Sequence, residues 1–538
     1  MISFNARGSA WAAGLALAGA LASVEAVANP VRTKDGVVEG LTTPGGSVRV
    51  FRGIPYAAPP VGDLRWREPQ PAAAWTGVRK AVGFAPRCVQ GPIFDDMVFR
   101  DQPSEDCLYL NVWTPARAAA EKLPVMVWIH GGGFQAGSAS EPRQDGRRLA
   151  RKGVVVVGLN YRLGVFGFLA HPALTKESAH GASGNYGLMD QVAALRWVRD
   201  NVAGFGGDPG NVTIFGESAG SFAVSALMAS PLARGLFHRA IGESGAYLGR
   251  SVLEQKALAA SEEKGSAFAA AIGVDSLPAL RAMPADAVLH AALKVQPWFE
   301  PTVDGYVMPK PADDVYEAGE QSRVPLLAGW NADEVRAGIV LAKDKPTAKS
   351  FTEQTRARFG PAADAVLKAY PAGSDAEALE SAAALAGDMF IGYSTWKWID
   401  VHEKTGGSPV YRYSFDRKIP VAPGTKVEGV PATATDVGAR HAGEIEYVFG
   451  ALDTIADAPW EPADRQLSDL MMTYWSNFAR TGDPNGPGLP TWPRHAEPDG
   501  FQVMHLDAAS RSAPDALRSR YVGLDAILSA PTRPIPSN

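Results

Sequence analysis

The chain of 538 residues is 46% hydrophobic and 20% charged, which is the composition of a globular protein able to bury a large core. Its formal net charge of −5, without any run of lysines and arginines, gives no electrostatic footprint for nucleic acid. Nucleic-acid binding is therefore excluded as a function class.

The first 28 residues have the pattern of a secretory signal peptide. Arg7 supplies a positive charge, Ala10 to Ala22 are uncharged and apolar, and Ala26-Val27-Ala28 fits a cleavage site. The apolar stretch is shorter than the ~20 residues of a membrane span, so stable membrane insertion is not expected. We predict a mature chain, residues 29–538, that is exported to the periplasm or secreted.

The sequence has two cysteines, Cys88 and Cys107. In an exported protein such a close pair predicts a disulfide rather than two free thiols. Closing this loop would stabilise the fold by about 3 kcal/mol in the chain-entropy model. Because no cluster of histidines accompanies the cysteines, no zinc site is predicted.

Strand patterns dominate the first part of the chain. Val31 to Gly40 and Ser47 to Arg52 alternate around turn glycines, which predicts antiparallel edge strands. The many prolines between Phe51 and Pro71 predict an ordered loop. Asp106 to Pro115 and Leu123 to Ile129 are further strand candidates.

The next segments alternate between strand and helix patterns. Val154 to Leu159 is nearly all valine, which is typical of a parallel strand covered on both faces. Gly187 to Val202 has apolar residues at helical spacing, and a strand pattern follows it. This order predicts a doubly wound α/β sheet. The Ala-rich region from Ser251 to Asp400 is mostly helical in pattern and is expected to cap the sheet.

The most informative stretch is Asn211 to Gly220, NVTIFGESAG. Val212 to Phe215 suit a buried strand, residues 216–220 fit G-x-S-x-G, and an apolar helix pattern follows. Such a turn places Ser218 in a strained, exposed position suited to a nucleophile. A Cβ at Gly216 or Gly220 would collide with neighbouring backbone. The motif alone also fits a plain glycine-rich turn, and its strand and helix context favours the nucleophile.

A second glycine motif, His130 to Phe134 (HGGGF), directly follows a predicted strand. Successive glycines allow two N–H groups to point at one spot, as an oxyanion hole requires. We assign Gly132 and Gly133 as donors, together with the N–H of Ala219; the alternative is a flexible glycine hinge. His130 is rejected as base or metal ligand, because it precedes the nucleophile, and is expected to buttress the loop.

A nucleophile elbow of this kind orders its catalytic groups as serine, acid, histidine. Six histidines follow the predicted nucleophile: His238, His290, His402, His441, His495 and His505. We favour His441 as the base, because it lies in a polar loop just before a helix pattern.

The acid is expected in the loop 329–335, which follows a predicted strand at Pro325 to Ala328. Asp333 and Glu334 both qualify on chemistry, since either carboxylate could orient an imidazole. The alternative for each is a solvated loop charge.

Several motifs together resemble the type-B carboxylesterases, the α/β-hydrolase family that includes the cholinesterases. They are FRGIPYAAPPVG, SEDCLYLNVWTP, HGGGF, NYRLGVFGF, GNYGLMDQVAALRWVRDNVAGFGGDPGNVTIFGESAG, HAGEIEYVFG and YWSNFARTGDPN, between about Val31 and Pro493. The resemblance implies a single α/β-hydrolase domain: a mostly parallel central sheet flanked by helices, with helical insertions covering the active site. It also implies a serine ester hydrolase that forms an acyl-enzyme on small esters, without metal or cofactor.

The resemblance also implies residue roles. The acid falls on Glu334, with Asp333 second, and the base falls on His441. Glu217 and Ser244 match positions that form hydrogen bonds around the catalytic histidine. Cys88 and Cys107 match the first disulfide of the family.

The sequence also departs from the cholinesterases. The loop between the cysteines has Phe94 and Phe99 but no tryptophan, which weakens a cation–π site and makes acetylcholine an unexpected substrate. Trp298 and Phe299 are candidate aromatic walls of the substrate pocket, and a core role is equally compatible with them.

Two other functions are alternatives to a general ester hydrolase. A non-catalytic binding protein is disfavoured because serine, acid, histidine and glycine loop are all present. An amidase or a specialised detoxifying esterase would use the same triad, since fold and nucleophile do not set the substrate pocket. The physiological ester and the oligomeric state are left open.

Overall fold

The computed structural model describes residues 26–94, 97–295, 298–335, 347–423, 426–427, 430–431, 437–455 and 457–529. Most of the predicted signal peptide, residues 1–25, lies outside the described residues. Among the helices that are described, none is long and apolar enough to cross a membrane.

A 12-stranded sheet forms the centre of the described chain. Its strands in chain order are β1 (Ala26–Val27), β2 (Leu41–Thr42), β3 (Arg49–Pro55), β4 (Tyr109–Thr114), β5 (Leu123–Ile129), β6 (Val155–Leu159), β7 (Gly207–Glu217), β8 (Arg239–Glu243), β9 (Leu326–Asn331), β10 (Val410–Phe415), β11 (Gln502–Leu506) and β12 (Arg511–Pro514). Their order across the sheet is β1-β2-β3-β4-β6-β5-β7-β8-β9-β10-β11-β12. Neighbours from β6 to β11 run parallel, and the strands at both edges pair antiparallel.

Short strands also pair outside the main sheet. One small sheet joins Val31–Arg32, Val37–Glu39 and Val78–Lys80. The other pairs are Arg87–Cys88 with Pro103–Ser104, Lys256–Ala257 with Thr302–Val303, and Lys426–Val427 with Val430–Pro431.

Helices connect the strands and cover both faces of the sheet. They are α1 (Arg147–Ala150), α2 (Gly164–Phe168), α3 (Pro172–Glu177), α4 (Tyr186–Asn201), α5 (Ala219–Ala229), α6 (Leu258–Ala271), α7 (Leu277–Ala282), α8 (Ala285–Val295), α9 (Ala312–Glu317), α10 (Ala348–Phe359), α11 (Ala363–Ala369), α12 (Asp375–Gly387), α13 (Tyr393–Gly406), α14 (Ile445–Phe449), α15 (Pro462–Thr481) and α16 (Arg518–Leu528). A π-helical segment, Asp388–Gly392, joins α12 to α13.

Strand β5 shows why the central strands are apolar throughout. Val125, Val127 and Ile129 belong to the hydrophobic cluster that includes residues of α4 and α5. Met126 and Trp128 point to the opposite face and belong to the cluster that includes residues of α15. A parallel strand covered on both faces needs apolar residues at every position. The predicted α/β fold with a mostly parallel central sheet is therefore confirmed.

The prediction of a loop from Phe51 to Pro71 is wrong for its first residues. Strand β3 continues to Pro55 and pairs with β4, with an irregular register between Phe51 and Ile54. Gly53 within this irregularity has φ +71°, which a glycine adopts without strain. This irregularity lets strand β3 continue into the segment where the prolines predicted a loop.

The region from Ser251 to Asp400 is mostly helical, as predicted, and it also supplies a central strand. Strand β9 extends to Asn331, three residues beyond the predicted end at Ala328. Side chains of this region, including Leu253 and Phe390, line the same cavity as Ser218. The helical insertions therefore cover the end of the sheet that carries the serine.

Candidate active site

Ser218 lies at the sharp turn between β7 and α5. Its backbone has φ +53° and ψ −124°, a conformation that is strained for a residue with a side chain. The turn is held on both sides, because Ser218 N–H donates to the Glu243 carbonyl over 2.8 Å and Phe222 N–H donates to the Ser218 carbonyl over 3.0 Å. The predicted elbow geometry is therefore present.

The two glycines around Ser218 leave room for strand β5. A Cβ at Gly216 would lie 2.6 Å from the Ile129 carbonyl oxygen. A Cβ at Gly220 would overlap the same oxygen and lie 2.9 Å from its carbon. Both glycines are thus required by the close approach of the Ile129 carbonyl, which is the predicted collision with neighbouring backbone.

His441 connects the serine to a carboxylate. Its Nε2 lies 2.9 Å from Ser218 Oγ, and its Nδ1 lies 2.6 Å from Glu334 Oε2. The Glu334 side chain is 1% exposed and the His441 side chain 24% exposed. The three groups form one hydrogen-bonded line from the protein interior to the cavity.

Glu334 is fixed by a second set of donors. The hydroxyl of Ser244 donates to Glu334 Oε1 over 2.6 Å, and the Asn331 N–H donates to the same oxygen over 2.8 Å. Ser244 thus contacts the acid rather than the imidazole. Asp333, the second candidate acid, accepts the Ala439 N–H over 2.9 Å and so anchors the loop that carries the histidine.

Buried carboxylates surround the imidazole. Glu217 Oε1 lies 3.3 Å from His441 Nε2, within ion-pair distance. Burial opposes a charge on His441, but Glu217 and Glu334 raise its pKa to about 9. Burial also raises the pKa of Glu217 and that of nearby Glu444. Negative charge on the Glu217 carboxylate therefore favours the protonated form of His441.

The glycine loop after β5 lies against the same cavity. Gly132 and Gly133 line it together with Ser218, and their φ angles are +98° and +60°. A Cβ at Gly132 would lie 2.8 Å from the Ala136 carbonyl carbon, so a larger residue does not fit. Ala219, the third predicted donor, is the first residue of α5 and directly follows the serine.

His130 is buried behind this loop and does not contact Ser218. Its Nδ1 lies 2.9 Å from the Gly131 carbonyl oxygen, and its ring stacks on Tyr161 at 4.4 Å. The Tyr161 hydroxyl in turn donates to the His130 carbonyl over 2.8 Å. Burial lowers the pKa of His130 to about 4, so the ring is neutral at physiological pH. These contacts fit the predicted buttress.

Other histidines after Ser218 have different surroundings. His238 contacts Val212, His402 contacts Val324 and Gln321, His495 contacts Gln502, and His505 contacts Asp416. Of the six candidates, His441 is the one that the structure brings to Ser218.

A cavity of about 750 Å³ opens above Ser218. Trp298 and Phe94 line it, together with aliphatic side chains such as Leu253 and Ile391. Phe299 does not: it is 4% exposed and packs edge-on against Phe268, with ring centroids 5.5 Å apart. Phe299 therefore has the core role that the sequence left as an alternative, and it also lines a neighbouring cavity together with Trp298.

The loop between the cysteines forms part of the cavity mouth. Cys88 and Cys107 form the predicted disulfide, with Cα atoms 4.9 Å apart. Phe94 faces the cavity, whereas Phe99 is covered by the Arg87 guanidinium at 4.7 Å from its ring centroid. Among the described residues no group of histidine, cysteine and carboxylate side chains is arranged to hold a metal ion.

Three residues near the triad were not singled out from the sequence. Asn331 donates from its side chain to Glu444 Oε2 over 2.6 Å and from its backbone to Glu334. Phe390 packs edge-on against His441. Glu444 could have been noticed as an acid inside the apolar run after His441, whereas no sequence signal indicates Phe390.

Serine, imidazole and carboxylate joined in this order, at the end of parallel strands, define a serine hydrolase of the α/β-hydrolase class. The carboxylesterase family model matches residues 27–523. The chain is 38% identical over 480 residues to fumonisin B1 esterase of Sphingopyxis macrogoltabida, covering 86% of this chain and 84% of that protein.

Two further comparisons agree. The para-nitrobenzyl esterase of Bacillus subtilis (strain 168) is 37% identical over 498 residues, covering 89% of this chain and 94% of that protein. A solved PNB esterase structure has a TM-score of 0.77 at 34% identity, covering 92% of this chain and 99% of the other. The chain belongs to the carboxylesterase family and is a carboxylic ester hydrolase.

Proposed function

We propose that this protein hydrolyses small carboxylic esters through an acyl-enzyme on Ser218. The observation that carries the proposal is the continuous hydrogen-bonded line from Glu334 through His441 to Ser218 at the floor of an apolar cavity. A serine hydroxyl is a weak nucleophile until a neighbouring base accepts its proton. His441 is within the distance that such a proton transfer requires.

The reaction proceeds in two halves. In the first, His441 Nε2 takes the Ser218 proton as Oγ attacks the ester carbonyl, and then gives that proton to the leaving alcohol. In the second, His441 takes a proton from water, whose oxygen attacks the acyl-enzyme, and returns it to Oγ as the acid leaves. Glu334 holds the Nδ1 proton and stabilises the imidazolium in both halves.

The backbone N–H groups of Gly132, Gly133 and Ala219 are assigned to the oxyanion of each tetrahedral intermediate. The positions of these residues support the assignment. Gly132 and Gly133 line the cavity beside Ser218, and Ala219 is the residue after the nucleophile. Each such donor lowers the barrier by roughly 3 kcal/mol. Glu217 and Ser244 are supporting residues, acting through His441 and Glu334 respectively.

The lining of the cavity favours uncharged esters with apolar groups, since Trp298, Phe94 and Leu253 offer aromatic and aliphatic contacts. Among the relatives, one is named for fumonisin B1 and another for para-nitrobenzyl esters. Para-nitrobenzyl and para-nitrophenyl esters are therefore suitable first substrates for this chain. Matched anilides distinguish an esterase from an amidase on the same triad.

We also propose that the protein is exported. The signal pattern in residues 1–28 and the Cys88–Cys107 disulfide support this, because disulfides persist in oxidising compartments. Cleavage after Ala28 would remove strand β1 from the sheet edge. The intact mass of secreted protein tests the site: a chain that starts near Asn29 is expected, and one that starts at Met1 contradicts export by cleavage.

The decisive experiment compares wild type, Ser218→Ala and Ser221→Ala on p-nitrophenyl acetate, butyrate and octanoate. Ser221 lies one turn along α5, where its buried hydroxyl donates to the Gly245 carbonyl over 2.5 Å, so its loss controls for removal of a buried hydroxyl. Turnover is expected to vanish in Ser218→Ala and to persist in Ser221→Ala. Full activity in Ser218→Ala would contradict the proposed nucleophile.

A further inference from the structure

A second cavity of about 400 Å³ lies beside the catalytic one. It is lined by residues 89–91 and 93 of the disulfide loop, by the segment that includes α2 and by helix α8. Trp298 lines both cavities, with the triad on one side of it and α8 on the other. The Trp298 side chain, which is 41% exposed, therefore borders both cavities.

Trp298 is fitted against the oxyanion loop. A Cβ at Gly133 would lie 2.8 Å from Trp298 Cζ2, so the indole packs where only a glycine leaves room. The Gln135 amide donates to the Gly133 carbonyl over 3.2 Å and also to the Phe299 carbonyl. The glycine loop and the segment that carries Trp298 are thus tied together by one side chain.

The interior of the second cavity is suited to hydrocarbon. Leu163, Val165, Phe166 and Leu289 contribute apolar side chains. The amide of Gln90, a polar group in the lining, is already engaged with the backbone of Gly137, donating over 2.8 Å and accepting over 2.8 Å. The lining of this cavity therefore offers apolar contact and no charged side chain.

We propose that the second cavity is an extension of the substrate site that Trp298 closes off, so that Trp298 sets how long an apolar group the enzyme accepts. The inference rests on the proposed ester hydrolysis at Ser218. With the indole in place, the apolar group of the ester is confined to the catalytic cavity. Without the indole, the two cavities join, and an extended acyl or alcohol chain reaches the space beside α8.

The test measures kcat/KM along two substrate series. One series lengthens the acyl group, from p-nitrophenyl acetate to octanoate, and the other lengthens the alcohol, from ethyl to octyl acetate. Trp298→Ala is expected to raise the long-to-short ratio about tenfold or more in one series, since each added methylene contributes to discrimination. Trp298→Leu should raise it less. The series that responds shows which half of the ester enters the second cavity.

A variant that fills the second cavity again tests whether the longer group binds there. Ala292 is buried on α8 and lines the second cavity, so Trp298→Ala/Ala292→Phe should return the ratio to the wild-type value. Trp298→Ala/Ala287→Phe is the matched control, since Ala287 lies on the same helix outside that lining and the high ratio should persist.

Three outcomes would overturn the inference. One is an unchanged ratio in both series for folded, active Trp298→Ala and Trp298→Leu. Another is a raised ratio that Ala292→Phe leaves untouched, which would place the added length elsewhere. A folded wild type that hydrolyses no ester would instead overturn the proposed function and the inference with it.

Discussion

The ring of Phe390 packs edge-on against the imidazole of His441, with centroids 5.1 Å apart and planes at 76°. Phe390 belongs to the π-helical segment Asp388–Gly392, and such widened turns are frequent at functional sites. Asp388 anchors the segment by accepting the hydroxyls of Tyr370 over 2.6 Å and Tyr521 over 2.5 Å. The segment thus holds an aromatic ring against the proposed base.

Phe390→Ala is expected to lower kcat by roughly ten- to 100-fold, because an imidazole free to rotate loses its alignment with Ser218. Phe390→Leu should lose less. Steady-state kinetics with p-nitrophenyl acetate check this, with Met389→Ala as control, since Met389 precedes Phe390 and does not line the catalytic cavity. Equal loss in both variants would indicate general damage to the segment.

Substitution of the two neighbouring acids separates their roles. Glu334→Gln is expected to lower kcat about 10⁴-fold, as removal of the orienting carboxylate does in serine hydrolases. Asp333→Asn keeps an oxygen that can accept the Ala439 N–H, so a loss of less than about tenfold is expected. A larger effect at Asp333 than at Glu334 would reverse the assignment of the acid.

The Glu217 carboxylate raises the pKa of His441, so its neutralisation has a definite sign. Hydrolysis needs neutral His441, and activity therefore falls as the pH drops through the His441 pKa. Glu217→Gln removes a negative charge, lowers that pKa, and should move the acid limb of kcat/KM to lower pH. Glu177→Gln, which loses the ion pairs with Arg67 and Arg281, should leave the limb in place. A limb that moves to higher pH would contradict this electrostatic coupling.

Gly220→Ala is expected to abolish activity and to lower the melting temperature, because the added methyl overlaps the Ile129 carbonyl. Gly523→Ala is the matched control: Gly523 lies within α16, and beyond its chain neighbours and its own helix backbone no described atom lies within 4 Å of the added Cβ. Alanine there should stabilise the helix by about 0.5–1 kcal/mol. Thermal unfolding of both variants checks the contrast, and a fully stable, active Gly220→Ala would contradict the steric argument.

Reduction of the Cys88–Cys107 disulfide is expected to lower the free energy of unfolding by about 3 kcal/mol. Urea unfolding with and without dithiothreitol measures this difference. The Cys88→Ala/Cys107→Ala variant should be insensitive to dithiothreitol. Equal sensitivity in the variant would show that the reductant acts elsewhere.

Local motifs were predictable because their geometry is set by adjacent residues. The turn around Ser218, the strand Leu123–Ile129 and the glycine loop at Gly132 depend on short-range sterics and on apolar patterning. The α/β class follows from the same alternation of strand and helix patterns. The local motifs each lie within a short window of sequence, whereas the α/β class required the alternation from Val154 to Phe215.

Features that depend on distant parts of the chain could not be derived in this way. His441 is 223 residues from Ser218 and 107 from Glu334, so its choice over five other histidines rested on its polar loop and on the family resemblance. Phe390 contacts His441 from a π-helical segment, and no residue pattern in the sequence predicts that segment. The sequence also does not tell that Trp298 lines the catalytic cavity while Phe299 lines only the neighbouring one.

The separation of Ser218, Glu334 and His441 along the chain also makes esterase activity a reporter of complete folding. Ser218 and Glu334 follow two different strands of the sheet, and His441 lies on the loop that Asp333 anchors. A nascent or truncated chain that ends before residue 441 has the serine but no base beside it. The hydroxyl stays unreactive until the C-terminal part of the sheet has assembled, so recovered turnover after refolding counts only fully assembled molecules.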